Sequence, residues 1–425
     1  MADLLQILKS KTVLVVGQLK TSRTETLEEY LKGKVGGLYV FGFSSPMSRK
    51  GFGRLTQYHS AEKVREKPLS IFSTPNHKGT TGPAVLISFF LTALQFFRCF
   101  FKLPSRPEVF IGVATYSTVL GILLKKFNCV DRVIFYCLDY SVPSTAHWFA
   151  NMFIHALRRV DAWVIKNSDM VWDITSRIGE ARKNFDRIPL ESYNPIVVPL
   201  GYGEGIERFR PFEERERWTL GFVGTLSSNQ GLELIVDSLP ELKLKIPQIK
   251  LRIIGDGPAW ENIQMMVRER GVQDCVVFHG FIQDDEEVYD LLSHCMIGLA
   301  VWTGGADDNS HFADPGKPKL YALLGLPIVI TDAPQVSEVI KETNAGRVIR
   351  YDRKAFVNAV EEILLSTEEL GKCLEGLRSF KSYCRAEQIF DEATTETMKR
   401  WKQFTDKPAS PKFTGFSLQS DLNRR

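Results

Sequence analysis

Short apolar runs alternate with helical patterns along the first half of the chain. The runs Thr12–Val16, Val109–Val113 and Arg132–Leu138 are each followed by a segment whose apolar residues recur at helical spacing. Further runs that predict strands are Gly37–Phe41, Leu69–Phe72, Met170–Trp172 and Ile196–Pro199. Continuous apolar strands separated by helices are typical of a parallel sheet that is covered on both faces. The pattern therefore predicts a doubly wound α/β domain.

The alternation stops at a charged, irregular stretch and then begins again. We predict a first Rossmann-like domain over residues 1–203, a linker over 204–217 and a second Rossmann-like domain over 218–384. Strands of the second domain are predicted at Leu220–Val223, Leu251–Ile254, Cys275–Phe278, Met296–Ala300 and Pro327–Thr331. A helix over 385–404 is expected to cross back to the first domain, and 405–425 to form a mobile polar tail. The expected architecture is two α/β domains whose parallel sheets face each other across a cleft.

Charge is distributed unevenly between the two halves. The whole chain of 425 residues carries a net charge of only +4, but residues 1–210 hold 28 Lys and Arg against 17 Asp and Glu. Such a basic half predicts an anionic partner, either a membrane surface or a phosphorylated acceptor. Much of the basic character lies in Ser48–Lys67, which is either a solvated loop or a contact for acidic lipid headgroups. Few aromatic residues flank this stretch and no recognition motif occurs, so we expect no nucleic-acid partner.

The seven cysteines are scattered and none forms a CxxC pair. This usage is typical of reduced thiols in a cytoplasm, and the first ten residues lack the features of a signal peptide. We therefore expect a cytoplasmic protein, peripheral on the inner face of the membrane. No group of His, Cys and Asp has the spacing of a metal site, so no metal ligand is assigned.

One segment, Ala84–Phe101, is apolar over nearly the length that crosses a bilayer. Gln95 and Arg98 lie within it, and a charged side chain at membrane depth is costly. Three interpretations are open: a buried crossover helix, which the pattern favours; a helix lying in the membrane interface; or a transmembrane span.

The loops after the predicted strands carry the candidate chemistry, because ligands of such sheets bind at the carboxyl ends of the strands. Neither a GxGxxG fingerprint after the first strand nor a GxxxxGK[ST] loop occurs, which argues against dinucleotide dehydrogenases and P-loop nucleotidases. In the second domain, Lys317 and Lys319 follow a Pro-Gly turn at the start of a predicted helix. Cations are unfavourable at a helix N-terminus, so the two lysines indicate either a nearby anion or two solvated side chains.

The order of motifs in the second half resembles the nucleotide-sugar glycosyltransferases of the GT-B fold, of the glycosyltransferase family four (group 1) type. The matching segments are GFVGT followed by NQG, IIGDGP, VVFHGFI, IGLAV, DPGKPKLYALLGLPIVIT and, before the linker, VPLG. The resemblance covers most of residues 12–404 in layout and is specific over about 215–345. It implies a nucleotide-diphosphate sugar as donor substrate on the second domain, a glycan or lipid-linked acceptor on the first, and transfer with retention. It implies no metal and no cofactor.

Residue by residue, the resemblance assigns a donor site and three catalytic candidates. The implied donor-binding residues are Gly224, Thr225, Gln230, Gly255, Gly257, Phe281, Ile282, Asp314, Pro315 and Gly316. Lys317 and Lys319 are the implied catalytic cations, because lysines aimed at the leaving diphosphate stabilise its developing charge. Asp139 ends a predicted strand at the cleft, where it either orients or deprotonates an acceptor hydroxyl or caps the next helix. Asp307, Asp308 and His311 are weaker candidates in a neighbouring loop.

The chain also departs from the family pattern. Thr225 and Gln230 stand where the family often has an Arg and a Lys, and Phe312 and Leu320 stand where its Glu-x7-Glu pair would align. The DPGK-x-K-like block resembles that of another branch of the family, and on that interpretation Lys317 and Lys319 supply the lost positive charge. The alternatives are a catalytically degenerate GT-B protein that binds a ligand or partner enzyme without turnover and, less favoured, a two-domain nucleotide-sugar epimerase.

Overall fold

The computed structural model describes residues 9–19, 22–44, 52–70, 83–140, 142, 148–203, 205–304 and 309–405. Within these ranges the chain forms two α/β domains, one built on an eight-stranded sheet and one on a six-stranded sheet. Each sheet is covered by helices, and each domain has an extensive apolar core. The predicted fold class is confirmed.

The first sheet has the strand order β4-β3-β2-β1-β5-β6-β7-β8. Its strands are β1 (Thr12–Gln18), β2 (Gly37–Phe43), β3 (Gly53–His59), β4 (Glu62–Leu69), β5 (Val109–Val113), β6 (Arg132–Cys137), β7 (Met170–Asp173) and β8 (Ile196–Val197). The helices are α1 (Ser22–Leu31), α2 (Pro83–Phe100), α3 (Thr115–Lys126), α4 (Trp148–Asn167) and α5 (Ser176–Ala181). The strand order reverses at β1, which lies between β2 and β5 and pairs with both in parallel.

Strands β3 and β4 correct the prediction of a parallel sheet with a strand at Leu69–Phe72. They form an antiparallel hairpin at the edge of the sheet, and β4 ends at Leu69. Residues 71 and 72 lie outside the described ranges. Charged side chains on β4 keep this edge from pairing with other chains, and the same charges make the segment look like a loop in the sequence.

Helix α2 contains most of the apolar segment Ala84–Phe101 and joins the hairpin region to β5. Its inner face is buried, and the ring of Phe96 packs edge-on against those of Phe41 and Phe110. Its outer face leaves Leu86 and Phe90 exposed. In the described part of the chain, no helix combines the length and the apolar character needed to cross a membrane.

The second sheet is parallel throughout, with the order β11-β10-β9-β12-β13-β14. Its strands are β9 (Thr219–Val223), β10 (Lys250–Ile254), β11 (Val276–Gly280), β12 (Ile297–Ala300), β13 (Ile328–Thr331) and β14 (Gly346–Ile349). The helices that follow in chain order are α6 (Leu232–Lys245), α7 (Trp260–Glu269), α8 (Asp285–Ser293), α9 (Asn309–Phe312), α10 (Gly316–Leu323), α11 (Val336–Thr343), α12 (Arg353–Leu365) and α13 (Thr367–Lys381). The sequence pattern did not predict β14, α11 or α13. The chain runs from β9 outward to β11 and then returns to β12, so the strand order reverses between β9 and β12.

The chain crosses between the domains twice, and the two crossings are bonded to each other. Tyr202 on the outward crossing donates its N–H to the carbonyl of Cys384 and accepts from the N–H of Ala386, at 2.7 and 3.0 Å. The last helix, α14 (Ala386–Thr405), then packs on the first domain, where Phe390 joins the apolar core. Trp172 Nε1 donates to Thr397 Oγ1 at 2.9 Å and fixes this helix in place.

Candidate functional site

Three loops lie side by side at the carboxyl ends of β9, β10 and β11. Gly224 N donates to the carbonyl of Ile254, and Gly255 N donates to the carbonyl of Gly280. A Cβ atom at Gly255 would lie 2.0 Å from the carbonyl oxygen of Gly224, and one at Gly257 would lie 2.4 Å from that of Leu226. Gly255 and Gly257 are therefore required for close contact between the backbones of adjacent loops. This packing explains why the IIGDGP segment has glycine at both positions.

A crevice opens where strands β9 and β12 separate. These strands pair only at Leu220 with Ile297 and at Gly221 with Gly298. Beyond these pairs the hydroxyl of Tyr321 accepts from Val223 N at 3.1 Å and donates to the carbonyl of Leu299 at 3.0 Å. The tyrosine holds the two strands apart at the point where strand order reverses, which is where open α/β sheets bind ligands.

Lys317 lies in this crevice. Its Nζ atom donates to Oε1 of Gln230 at 2.5 Å and lies 4.4 Å and 4.8 Å from the ring centroids of Phe222 and Trp302. A Cβ atom at Gly224 would lie 3.6 Å from the same Nζ, so the glycine leaves the space beside the ammonium open. The structure thus brings together two predicted donor-binding residues, Gly224 and Gln230, and the predicted catalytic residue Lys317.

The charge of Lys317 has no matching carboxylate in the part of the chain that the structure describes. Among the described residues, no carboxylate lies within ion-pair distance of its ammonium group. Burial lowers the pKa of Lys317 to about 7, because the charged form loses hydration that one amide oxygen and two aromatic rings do not replace. An anion placed beside Gly224 would restore the charged form.

Lys319 is not in this crevice, which corrects its assignment as a second cation for the diphosphate. Its side chain is only 2% exposed, and its Nζ atom donates to Oδ2 of Asp314 at 2.5 Å and to the carbonyl of Leu200 at 2.6 Å. The same Oδ2 accepts from the backbone N–H of Leu200 at 2.5 Å. Lys319 and Asp314 therefore bind the second domain to the end of the first.

Asp314 is likewise not placed to meet sugar hydroxyls as predicted, because it is buried in that contact. Pro315 precedes helix α10, and Gly316 lies against the first crossing, where Tyr202 Oη donates to its carbonyl at 3.3 Å. A Cβ atom at Gly316 would lie 2.6 Å from that hydroxyl. The Pro-Gly turn therefore sets how the start of α10 approaches the first domain.

The other predicted donor-site residues border the loops without contacting Lys317. Thr225 is exposed next to Gly224. Phe281 follows the loop of β11 and is 75% exposed, whereas the side chain of Ile282 is half-buried against the core. An exposed aromatic ring beside three glycine loops offers a flat apolar surface to a planar ligand.

On the first domain, Asp139 is exposed at the carboxyl end of β6, as predicted from the sequence. Tyr140 and Val142 are not helical, so the alternative that Asp139 caps a helix is wrong. Nearby, Ala114 follows β5 with φ 72° and ψ 163°, a backbone conformation that is strained for a residue with a side chain. Such strain concentrates at functional sites, and here it lies at the point where the first sheet reverses its strand order.

The segment that contains His311 joins the domains across the cleft. Arg177 of α5 donates to the carbonyl of Ala333 at 2.7 Å and to Glu338 Oε1 at 2.7 Å, and its Nη1 lies 3.0 Å from Nδ1 of His311. Burial, and to a smaller degree the charge of Arg177, lower the pKa of His311. Asp307 and Asp308 lie outside the described residues.

Sequence reasoning missed Phe222, Trp302 and Tyr321, which shape the crevice around Lys317. Trp302 is held by Thr331, whose hydroxyl accepts from its N–H at 2.9 Å and donates to its carbonyl at 3.0 Å. The sequence feature that could have identified Phe222 and Trp302 is their position at the ends of two predicted strands. That these strands are neighbours could not be read from one sequence. Within the described ranges, no group of three or more His, Cys, Asp and Glu side chains is placed to hold a metal ion.

Comparison with known proteins assigns a family to this part of the chain. Residues 217–366 match the family described as glycosyl transferases group 1, and the match includes β9, the glycine loops, Lys317 and Trp302. Most of the second domain is therefore similar to the group 1 glycosyl transferases. The resemblance inferred from the sequence motifs is confirmed.

Curated relatives match part of the chain at modest identity. A GDP-mannose-dependent alpha-(1-6)-phosphatidylinositol monomannoside mannosyltransferase of Mycolicibacterium smegmatis is 33% identical over 177 residues, which is 38% of this chain and 45% of that protein. The putative glycosyltransferase EpsD of Bacillus subtilis is 24% identical over 217 residues, or 45% of this chain and 52% of that protein. The chain thus spans about half the length of these relatives.

Solved structures extend the similarity in fold to both domains. Sucrose-phosphate synthase from Thermosynechococcus elongatus superposes with a TM-score of 0.67 at 14% identity, over 93% of this chain and 99% of that one. Anabaena HepE in complex with UDP-glucose superposes with a TM-score of 0.63 at 12% identity, over 92% of this chain and 100% of that one. At these identities the comparison establishes the two-domain GT-B architecture around the group 1 domain.

Proposed function

We propose that the protein transfers a sugar from a nucleotide-diphosphate donor to an acceptor, with the donor in the crevice between β9 and β12. The observation that carries the proposal is Lys317. It is a half-buried cation with no carboxylate partner among the described residues, it lies beside Gly224, and it belongs to the part of the chain that matches the group 1 glycosyl transferases. A desolvated charge without an ion-pair partner lowers the stability of the folded protein. Binding of an anionic substrate accounts for the presence of such a charge.

The proposed chemistry uses the charge that develops when the bond from sugar to diphosphate breaks. Negative charge then accumulates on the leaving phosphate oxygen, and a protonated Lys317 stabilises it more strongly than in water because the site is partly dry. Thr225 is exposed next to Gly224, and α6 begins two residues after Gln230, so a hydroxyl group and a positive helix end add to the charge of Lys317. Metal-independent transfer with retention is part of this proposal.

The donor is a nucleotide sugar. The names of the mycobacterial relatives specify GDP-mannose, and HepE was solved with UDP-glucose, so both bases belong in a first test. Phe281 offers an exposed ring for stacking of the base. Gly255 and Gly257 set the shape of the pocket floor through the packing of adjacent backbones.

The acceptor binds on the first domain, opposite the donor. Asp139 and the strained Ala114 lie at the carboxyl ends of β6 and β5, and Asp139 would orient or deprotonate an acceptor hydroxyl. The basic composition of this domain supports a glycan or lipid-linked acceptor at an anionic membrane surface. The mycobacterial relatives act, by their names, on phosphatidylinositol monomannoside. A cytoplasmic, peripheral location is part of the same proposal.

The test is donor binding followed by donor hydrolysis. We expect UDP-glucose or GDP-mannose to raise the melting temperature of the full chain by mass action, and the matching nucleoside monophosphate to raise it less. The bound donor should then be hydrolysed slowly, with the released sugar keeping its anomeric configuration. Absence of a shift with every nucleotide sugar would overturn the proposal. Binding without any release would instead identify the degenerate alternative.

A further inference from the structure

A second cavity lies in the first domain, between helix α2 and the β3–β4 hairpin. Its volume is about 620 Å³, within the range that holds a small organic ligand. We call it the α2–hairpin groove. Leucines and basic side chains of β3, β4, α2 and the segment after α2 line it. It is separate from the crevice of Lys317, which belongs to the second sheet.

The groove is positively charged, and none of its described lining residues is acidic. Its cations are Arg65, Lys67, Arg98 and Lys102, and among the described residues none of the four pairs with a carboxylate. The nearby acid Glu66 is already bonded to Lys63. Lys67, Lys102 and Arg98 all lie close to the thiol of Cys99. Burial raises the pKa of this thiol, and the positive charges of the three residues oppose that rise. An anion in the groove would thus meet several cations at once.

Apolar side chains complete the groove and continue beyond it. Leucines 55, 69, 91, 94 and 103 line it, and Leu91 and Leu94 are also partly exposed to solvent. Toward the start of α2 the exposed face continues with Leu86, Ile87 and Phe90, the last of them 63% exposed. Residues spaced by three and four lie on one face of a helix, so this face is apolar along its first turns and basic at Arg98 and Lys102.

We propose that the α2–hairpin groove binds one anionic phospholipid of a bilayer, with the phosphate among the four cations and an acyl chain along Leu91 and Leu94. This inference rests on the proposed association of the first domain with an anionic membrane, and it assigns that association to one site. A small hydrophilic anion would use the cations but leave the leucines in water. A neutral lipid would cover the leucines but leave four unpaired cations. Only an anionic amphiphile matches both.

Cys99 provides a local probe of occupancy. It lines the groove and is partly exposed, as is Cys129, whereas the other five cysteines are buried. In a Cys129→Ser background, alkylation by a small maleimide should therefore report mainly on Cys99. We expect dihexanoyl phosphatidylglycerol, used as a monomer below its micelle concentration, to slow this alkylation. Dihexanoyl phosphatidylcholine and inorganic phosphate at the same concentration should not.

Variants separate the two halves of the site. Arg98→Gln combined with Lys102→Gln should weaken binding to phosphatidylglycerol vesicles about thirtyfold, since each interfacial cation is worth roughly 1 kcal/mol. Leu94→Gln should remove Cys99 protection by the short-chain lipid while leaving the cations in place. The matched control, Arg268→Gln with Lys354→Gln, removes two exposed cations of the second domain and should behave as the unaltered chain.

Each other outcome overturns the inference. Protection by phosphatidylcholine would make the groove a general apolar pocket, and protection by phosphate alone would make it a site for small anions. If the groove variants still bind vesicles and Cys99 is not protected by lipid, the protein associates with membranes through another site. The proposed membrane association would then hold, but the groove would not be the lipid-binding site. No binding of the unaltered chain to anionic vesicles would remove both. Donor-induced thermal shifts in the groove variants show independently whether the glycosyltransferase proposal holds.

Discussion

Lys317 and Gln230 share a hydrogen bond of 2.5 Å between Nζ and Oε1, so that, among the described residues, the charge of the lysine is met by an amide oxygen and not by a carboxylate. Lys319, which lies two residues after Lys317 in the sequence, forms an ion pair with Asp314. Lys317 and Lys319 both belong to helix α10. Lys317 is available to a ligand, whereas Lys319 holds the domains together. The two lysines should therefore respond in opposite ways to the same substitution.

Lys317→Met should weaken binding of a nucleotide-diphosphate sugar without destabilising the protein. Loss of one charge-assisted hydrogen bond is worth roughly 1.5–3 kcal/mol, or about 10- to 100-fold in affinity. Removal of a desolvated charge should leave the melting temperature unchanged or raised. Calorimetric titration and thermal denaturation measure the two effects, and an unchanged affinity would contradict the assigned donor site.

Lys319→Met is the matched comparison, with the opposite expectation. It leaves Asp314 as a buried charge whose ammonium partner is gone, which costs roughly 3–5 kcal/mol in the free energy of unfolding. Chemical denaturation of the two variants side by side measures the difference. Equal stability of Lys317→Met and Lys319→Met would show that the ion pair does not hold the domains together.

The pKa of Lys317, about 7, predicts a pH dependence of donor binding. Below pH 7 the free protein already carries the charge, so affinity should be constant. Above pH 7 the lysine must take up a proton when the diphosphate binds, so affinity should fall about tenfold per pH unit. Titration with UDP-glucose or GDP-mannose in buffers of different ionisation enthalpy detects the uptake. A profile that Lys317→Met does not flatten would assign the dependence to another group.

Gly255→Ala tests the contact between neighbouring loops. The added methyl group would lie 2.0 Å from the carbonyl oxygen of Gly224, and Gly255 has φ 131°, so we expect a loss of more than about 1 kcal/mol in the free energy of unfolding. Donor affinity should fall too, because Gly224 must move. Gly203→Ala is the control, since its methyl group would meet nothing within 4 Å. Similar stabilities of the two variants would refute the packing argument.

Arg177→Ala should loosen the contact between the domains. It removes hydrogen bonds from α5 to Ala333 and Glu338 of the second domain, at 2.7 Å each. We expect a larger radius of gyration by small-angle X-ray scattering and a lower melting temperature, because charge-assisted hydrogen bonds are worth roughly 1.5–3 kcal/mol. Arg159→Ala on the exposed face of α4 serves as the control. Identical scattering from the two variants would show that Arg177 does not restrain the domains.

Most strands of the two sheets were predictable because they are short, continuous apolar runs between helical segments. Thr219–Val223 and Val109–Val113 are buried on both faces of a parallel sheet, so no polar residue interrupts them. Strand β4 was not predictable for the opposite reason. Nearly all of its side chains face solvent at the sheet edge, and the segment therefore has the composition of a loop.

The candidate site was predictable only in part. Gly224 and Lys317 could be inferred because their motifs are local in the sequence. The role of Lys319 could not, because its carbonyl partner on Leu200 lies 119 residues away. Phe222 and Trp302 meet around Lys317 only because β9 and β12 are neighbours, and strand order is a property of the whole sheet.

The bonded crossing at Tyr202 and Ala386 limits how the two domains can move relative to each other. Two chain segments tied together at one place behave mechanically as a single pivot, so sliding of one domain along the other would break both hydrogen bonds. Rotation about an axis through this pivot would break neither. Any change in the width of the cleft is therefore a rotation of one domain about this pivot, and the displacement of atoms increases with their distance from Tyr202.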